Sequence, residues 1–131
     1  MKLEKVLLID DSDIDNMVNK KVIEKTGVAK SIVIKKSAQS ALDYLKDLSS
    51  NALAEIPDVI FLDIRMPEID GFGFLEKYED LPEVVTRKIA IIMLSSSIDQ
   101  DDYNRALANK YVRFFLNKPL KKENIEAVAK L

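Results

Sequence analysis

Five short apolar runs recur along the chain, and segments with helical spacing separate them. The runs cover residues 6–9, 32–34, 59–62, 89–94 and 112–116. Most of them are continuous apolar stretches rather than alternations of apolar and polar residues. This pattern is typical of strands that are covered on both faces, as in a parallel sheet. Each run is therefore predicted to form a buried strand.

The segments between the runs repeat apolar residues every three or four positions, which predicts helices. The repeating positions are Ile14, Met17, Val18 and Val22; Ala38, Ala41, Leu42, Leu45 and Leu48; Phe74, Leu75 and Tyr78; Tyr103, Ala106 and Leu107; and Ile125, Val128 and Ala129. Gly27 lies where the first helix is expected to end, and Pro82 follows the third. Ser97 and Gln100 have the spacing of a capping box before the fourth helix. Residues 49–57 are predicted to form a surface loop.

A strand followed by a helix, repeated five times, predicts an α/β fold of the doubly wound kind. In such a fold right-handed crossovers connect parallel strands. The chain has 131 residues, a length that suits one domain, and residues 1–131 are expected to form it. The sequence contains no linker, internal repeat or low-complexity tract that would divide the chain.

The composition excludes several kinds of chemistry. The chain has no cysteine and no histidine, which excludes disulfides, thiolate nucleophiles, histidine bases and zinc sites built from either residue. A formal net charge of -2 gives no reason to expect nucleic acid or an anionic membrane as a partner. Since no apolar stretch approaches the ~20 residues of a membrane span, a cytoplasmic protein is expected. Any metal must have oxygen ligands, which favours a hard cation such as magnesium.

Residues with useful chemistry follow four of the predicted strands. Asp10 and Asp11 follow the first strand, Asp63 the third, Ser95 the fourth and Lys118 the fifth. In open α/β sheets, ligands bind beyond the carboxyl ends of the strands, where the strand order reverses. If the first and third strands are neighbours, three carboxylates converge, and they repel one another unless a cation lies among them. This set suits phosphoryl transfer, with one aspartate as the nucleophile.

Four motifs in order make the chain resemble the receiver domains of bacterial two-component response regulators, in particular the stand-alone type that is similar to the chemotaxis regulator. The motifs are LLIDDS at residues 7–12, VIFLDIRMPEIDGFGFL at 59–75, IIMLSSS at 91–97 and FFLNKP at 114–119. The resemblance covers essentially the whole chain. It implies a flavodoxin-like fold, in which a five-stranded parallel sheet has the order 2-1-3-4-5 and helices cover both faces.

The resemblance also implies which residues take the phosphoryl group and hold the metal. Asp63 matches the phosphoacceptor. Asp11 matches the acid that binds Mg²⁺ directly, and Asp10 matches the acid that usually acts through water. The backbone carbonyl of Arg65 matches a further protein ligand, and Mn²⁺ is an alternative to Mg²⁺. Together with Asp63, these residues are the expected metal site.

Further roles implied by the resemblance concern the response to phosphorylation. Ser95 matches the switch hydroxyl residue, and Lys118 matches the lysine that contacts the phosphoryl group. Pro119 matches a proline that a cis peptide bond usually precedes. Phe115 occupies the position of the aromatic switch, but it has no hydroxyl group. A switch at Phe115 is therefore expected to act by packing alone, or more weakly.

Some of these residues also have ordinary explanations. Asp10, Asp11 and Asp13 have the residue type that is favoured at a helix N-terminus, and this interpretation is retained for Asp13. Adjacent residues on a strand point to opposite sides of the sheet, so Phe114 and Phe115 cannot both face the same core. One of them is expected to pack under a helix, with Phe115 nearer the signalling surface.

The leading functional hypothesis is a stand-alone phosphorelay switch. A sensor histidine kinase or a histidine phosphotransfer protein supplies the phosphoryl group, and the switch then binds a downstream protein. It catalyses its own phosphorylation and dephosphorylation and does not turn over an external substrate. No output domain is expected after Leu131, so the signal is expected to pass by protein–protein binding, as a monomer or a weak dimer. The alternative is that the chain is a fragment of a longer protein.

Two alternatives belong to other functional classes. A small phosphatase of the haloacid-dehalogenase kind would use Asp11 as its nucleophile and Asp13 two residues later. The short chain, which leaves no room for the cap domain of such enzymes, and the Met-Pro that follows Asp63 speak against it. A binding module that keeps only the fold is the third hypothesis, and the competent residues at every expected site position speak against that one. Replacing Asp63 with Asn distinguishes the switch from the phosphatase.

Overall fold

The computed structural model describes residues 3–131, so the first two residues of the predicted domain lie outside the described part. It contains one five-stranded sheet in the order β2-β1-β3-β4-β5, in which every neighbouring pair is parallel. The strands are β1 (Leu3–Ile9), β2 (Ala29–Lys35), β3 (Val59–Asp63), β4 (Ala90–Ser95) and β5 (Val112–Asn117). The predicted fold class and the strand order implied by the resemblance are confirmed.

Helices connect the strands at each of the predicted positions. They are α1 (Asp13–Thr26), α2 (Ala38–Asn51), α3 (Gly71–Tyr78), α4 (Glu83–Thr86), α5 (Gln100–Leu107) and α6 (Lys122–Val128). Helix α1 ends at Gly27, whose φ is 66°, as predicted. The short α4 was not predicted; Pro82 stands directly before it, where a missing backbone N–H costs little. None of the helices within residues 3–131 combines the length and the apolar character that crossing a membrane requires.

The prediction that residues 49–57 form a loop is wrong for residues 49–51, which are α-helical. Helix α2 continues to Asn51, and a 3-10 turn, Leu53–Glu55, follows it. Polar residues are compatible with the last turn of α2 because their side chains face solvent there, where polarity costs no free energy. The backbone N–H of Ala52 donates to the carbonyl of Leu48 over 2.9 Å, which extends the helical hydrogen bonding beyond the predicted end.

Two separate hydrophobic cores lie on the two faces of the sheet, because successive strand residues point in opposite directions. On one face, residues such as Leu7 and Ile60 pack under α2, α3, α4 and α5. On the other face, residues such as Val6 and Phe61 pack under α1 and α6. Since both faces are covered, every residue of β3 is buried. This explains why its sequence is a continuous apolar run.

The two adjacent aromatic residues of β5 point to opposite faces, as expected, but both are packed. Phe115 is buried on the face that carries α5, and its ring centroid lies 5.9 Å from that of Tyr103. Phe114 is half-buried against the core beneath α1 and α6. The expectation that only one of them packs under a helix is wrong, because helices cover both sides of this strand.

Helix α1 carries its apolar stripe on the outside. Ile14 is 69% exposed and Met17 is 52% exposed, whereas the buried residues of the helix are Asn16, Asn19 and Ile23. The spacing predicted the helix correctly, but Ile14, Met17 and Val18 face solvent, and of the predicted stripe only Val22 packs against the core. The inward side of α1 is largely polar, and the reason appears in the functional site.

Two helices begin with caps that differ from the predicted ones. Ser12 caps α1, because its Oγ accepts a backbone hydrogen bond of 3.2 Å from within the first turn. Asp13 is the first helical residue, where its negative charge favours the helix start. Asp99 caps α5 by accepting two backbone hydrogen bonds of 2.7 and 3.4 Å. Ser97 does not cap α5, since the side chain of Ser95 holds its backbone in the preceding turn.

Candidate functional site

Three aspartates meet at the carboxyl ends of β1 and β3. Asp10 and Asp11 follow β1, and Asp63 is the last residue of β3. One oxygen of each carboxylate lies within 4.8 Å of the others. Because β1 and β3 are direct neighbours, this convergence follows from the strand order. Asp10 and Asp63 are 4% and 3% exposed, whereas Asp11 is exposed, so the cluster opens to solvent on one side.

Lys118 supplies the positive charge in contact with this cluster. Its Nζ lies 3.0 Å from Oδ2 of Asp10, 3.1 Å from Oδ1 of Asp63 and 2.7 Å from Oδ2 of Asp15. A lysine ammonium has three N–H donors, and three carboxylates surround this one. The residue follows β5 directly, and its peptide bond to Pro119 is cis, as the resemblance implies.

Burial and the charges of neighbouring side chains shift the pKa values of the ionisable groups in the site. Burial raises the pKa of Asp63 to about 6, the charge of Asp10 adds to the rise, and Lys118 opposes it. Burial also raises the pKa of Asp10, against hydrogen bonds from Ser12 and Lys118. Burial alone would lower the pKa of Lys118, but its hydrogen bonds to the surrounding carboxylates, Asp15 first, raise that pKa overall. The cluster therefore holds more negative charge than one ammonium neutralises.

The donor set fits a hard divalent cation. Carboxylate oxygens that lie within 4.8 Å of one another can share one ion. Burial and neighbouring carboxylates raise the pKa values of Asp10 and Asp63, and a bound cation would favour their ionised forms. The exposure of Asp11 leaves room for the water ligands that Mg²⁺ keeps. Asp10, Asp11 and Asp63 are the side chains that would hold it.

We expect Mg²⁺ to stabilise the chain more at about pH 7 than at about pH 5. The pKa of Asp63 is raised in the folded chain from 3.8 to about 6, so the protonated carboxyl favours folding. The stability of the metal-free protein therefore falls as the pH rises through this range. Metal binding needs the ionised carboxylates, and its contribution grows over the same range. Melting temperatures in EDTA and in Mg²⁺ across this interval measure both trends, and a Mg²⁺ increment that shrinks as the pH rises would contradict the expectation.

The hydroxyl of Ser95 is engaged away from Asp63. Ser95 is the last residue of β4 and is 4% exposed. Its Oγ donates to the carbonyl of Ser97 over 2.6 Å and accepts the N–H of Ser97 at 3.2 Å. The carbonyl of Ser95 also accepts the N–H of Lys118 at 2.9 Å. Ser95 is therefore connected both to Lys118 and to the segment that leads into α5.

The turn after β3 approaches the site through its backbone. A Cβ atom at Gly71 would lie 2.7 Å from the carbonyl oxygen of Asp63, so any side chain there would displace this turn. Arg65 lies in the same turn, and its exposed guanidinium forms an ion pair with Asp102 of α5. The role of the Arg65 carbonyl as a metal ligand stays a prediction.

The sequence analysis did not identify three polar residues of α1 that line the site. Asp15 contacts the ammonium of Lys118. Nδ2 of Asn16 donates to the carbonyl of Asp10 over 2.8 Å, and Oδ1 of Asn19 accepts the N–H of Leu120 at 3.0 Å. A signal was present, because these polar residues recur at helical spacing on the side opposite the apolar stripe.

Comparisons with known proteins agree with this geometry. Residues 6–130 match the family described as response regulator receiver domain. The chain is 30% identical over 121 residues to the probable methanogenesis regulatory protein FilR2 of Methanothrix harundinacea, covering 92% of this chain and 76% of FilR2. It spans less than two thirds of the length of several other curated relatives.

Two crystal structures match over nearly the full length of both chains. The two component response regulator from Cytophaga hutchinsonii is 30% identical, with a TM-score of 0.93 over 99% of this chain and 96% of that one. The response regulator receiver protein from Dyadobacter fermentans is 37% identical, with a TM-score of 0.85 over 97% and 95%. The chain therefore belongs to the response regulator receiver domain family, whose members act in phosphorelay signalling.

Proposed function

We propose that residues 1–131 form a phosphoacceptor switch, in which Asp63 takes a phosphoryl group from a sensor histidine kinase or a histidine phosphotransfer protein. The observation that carries this proposal is the carboxylate of Asp63, which is 3% exposed and lies 3.1 Å from the ammonium of Lys118. Receiver domains bind a divalent metal at their acidic pocket, and Asp10 and Asp11 would hold Mg²⁺, or Mn²⁺, here. The expected cytoplasmic location and the monomeric or weakly dimeric state stay predictions.

The arrangement supports an in-line transfer. An ionised carboxylate oxygen of Asp63 forms a bond to phosphorus while the bond from phosphorus to the donor imidazole nitrogen breaks, and the electron pair of that bond stays with the imidazole. The step needs no general base, because the nucleophile is already an anion. Lys118 lies where it can neutralise charge on the phosphoryl oxygens. Mg²⁺ held by the aspartates would supply further charge neutralisation for the transferred phosphoryl group.

The proposed response begins at Ser95. Turning its hydroxyl toward a phosphoryl group on Asp63 breaks the hydrogen bonds that it makes with Ser97, directly before α5. Phe115 packs against Tyr103 of α5 without any hydroxyl group of its own, so the change is transmitted by packing. Phosphorylation thus biases an existing equilibrium of the face formed by α5, β5 and α6. The output is altered binding of a downstream protein rather than turnover of an external substrate.

The direct test uses acetyl phosphate as a small phosphodonor. The wild-type chain is incubated with acetyl phosphate and Mg²⁺, and the product is analysed by intact mass and by peptide mapping. The expected result is one added phosphoryl group, located at Asp63 and dependent on Mg²⁺. A chain that takes no label, or takes it at another residue, would exclude this function. Beryllofluoride, which mimics a phosphoryl group, provides a second measurement through its effect on the melting temperature.

The outward apolar stripe of α1 suits docking of the protein donor. Ile14, Met17 and Val18 are 69%, 52% and 36% exposed. Val18 also borders a cavity of about 240 Å³ that Lys118 and Pro119 help to line, so the stripe adjoins the site. A donor that delivers a phosphoryl group to Asp63 has to approach this part of the surface, and apolar side chains give it contact area.

We expect Met17→Glu to slow transfer from a histidine phosphotransfer protein or kinase by about tenfold, since a buried charge in the docked complex is unfavourable. Labelling by acetyl phosphate should be unchanged, because this donor needs no docking surface. The rates of both reactions are compared by quench-flow or gel assay. Val84→Glu is the control, since Val84 is 42% exposed on α4, on the other face of the sheet. Equal slowing with both donors, or with both variants, would refute the docking role.

A further inference from the structure

The inward side of α1 is polar because it holds the two halves of the site together. Asn16 binds the carbonyl of Asp10, which follows β1, over 2.8 Å. Asn19 binds the N–H of Leu120, which follows β5, over 3.0 Å. Both asparagines are buried, at 3% and 2% exposure. One helix thus fixes the segment that carries Asp10 and the segment that carries Lys118.

Asp15 adds a direct contact from the same helix to the reacting region. Its Oδ2 lies 2.7 Å from Nζ of Lys118, the shortest of the three carboxylate contacts of that ammonium. Its backbone N–H is held by the capping Oγ of Ser12 at 3.2 Å, so the residue has a fixed position in the first turn. The side chain of Lys118 is only 10% exposed, which leaves its ammonium few other partners.

The three partners of Lys118 differ in what happens to them during phosphorylation. Asp10 and Asp63 belong to the cluster that fits a metal, so their oxygens would be shared between Lys118 and a bound cation. Asp63 also changes when it carries a phosphoryl group. Asp15 is outside that cluster and is 40% exposed at the edge of the site. Of the three carboxylates, Asp15 alone can keep its contact with the ammonium throughout.

We propose that Asp15 is a positioning residue that holds the ammonium of Lys118 beside Asp63 while the other two carboxylates engage the metal and the phosphoryl group. This inference rests on the proposed function of Asp63. Without Asp15, the long lysine side chain samples other rotamers once Asp10 and Asp63 engage the metal, and the charge on the phosphoryl oxygens is neutralised less often. The effect falls on the transfer step rather than on metal binding.

The test measures phosphorylation by acetyl phosphate as a function of Mg²⁺ concentration in Asp15→Ala and Asp15→Asn. We expect Asp15→Ala to lower the maximum rate constant by about tenfold and to change the half-saturating Mg²⁺ concentration by less than about threefold. Asp15→Asn keeps an acceptor oxygen for Lys118 and is expected to recover part of the rate. The matched control is Asp13→Ala, which removes another aspartate from the same turn, one that pairs with the exposed Lys36 over 2.8 Å. It should leave the rate unchanged.

A second measurement does not depend on phosphorylation. Trace acetylation with acetic anhydride, followed by peptide mass analysis, reports the reactivity of Lys118 in the folded chain. Asp15→Ala should raise that reactivity severalfold, and Asp13→Ala should not. Melting curves confirm that each variant is folded.

The two measurements separate the possible failures. If the wild type takes no label, the function proposed for Asp63 fails, and the reactivity of Lys118 still decides the role of Asp15. Any of three results for Asp15→Ala would overturn the inference. These are a wild-type rate constant, a loss confined to Mg²⁺ affinity, and an unchanged reactivity of Lys118.

Discussion

Asp63→Asn is expected to abolish the phosphoryl label that acetyl phosphate and Mg²⁺ place on the chain. Asparagine keeps the size of the side chain but removes the anionic oxygen that forms the bond to phosphorus. The phosphatase alternative, with Asp11 as the nucleophile, predicts instead that turnover of small phosphate esters survives this change. Intact-mass analysis of the variant and a phosphate-release assay distinguish the two.

The same variant should remain folded and become more stable without metal. Asp63 is 3% exposed, and burial raises its pKa to about 6, so its ionised form opposes folding at neutral pH. Removing that charge is expected to increase the free energy of unfolding by roughly 2 kcal/mol. Asp58→Asn, at the other end of β3, is the control and should keep the label. If Asp63→Asn is less stable than the wild type, neighbouring groups stabilise the ionised carboxylate of Asp63 more than its burial destabilises it.

Lys118→Met has the second large expected effect, on both the reaction and the fold. The ammonium contacts three carboxylates at 2.7 to 3.1 Å, and two of them, Asp10 and Asp63, are buried. Losing it leaves buried negative charge without a partner, which is expected to cost about 3 kcal/mol of stability in the metal-free chain. The rate constant for labelling should fall by about a hundredfold, since the phosphoryl oxygens lose their positive neighbour.

Denaturant titration in EDTA and in Mg²⁺, together with labelling kinetics, measures these effects. Mg²⁺ should restore part of the stability of Lys118→Met but not the rate, because the variant still lacks the positive charge of Lys118 beside Asp63. Lys36→Met is the control: Lys36 also pairs with an aspartate, Asp13, but its side chain is 59% exposed, and exposed pairs contribute little. A Lys118→Met chain that labels at the wild-type rate would remove Lys118 from the proposed mechanism.

The α1 helix shows how a correct local prediction can give the wrong orientation. The spacing of Ile14, Met17 and Val18 indicated a helix, and the helix is there. An apolar stripe normally faces a core, yet this one faces solvent. Hydrogen bonds of Asn16 and Asn19 to backbone groups at the site determine which side of the helix faces inward. Those partners lie on other elements, which the periodicity of one segment cannot reveal.

The helix caps show a similar limit at shorter range. The spacing of Ser97 and Gln100 matched a capping box, but Asp99 caps α5. The hydrogen bonds between Ser95 and Ser97 occupy the segment before the helix. They depend on the place of Ser95 at the end of a buried strand, so the choice of cap was decided by tertiary structure.

By itself, the sequence determined the alternation of strands and helices, because apolar periodicity is a local property of each segment. It also determined which residues stand at the strand ends, and its motifs carried the family resemblance that implied the strand order. Only the tertiary structure decided the partners of those residues: the contact of Asp15 with Lys118, the polar inward side of α1 and the engagement of Ser95 with Ser97. These depend on distances between elements far apart in the chain, such as the 2.7 Å between Asp15 and Lys118, and folding alone brings such elements together.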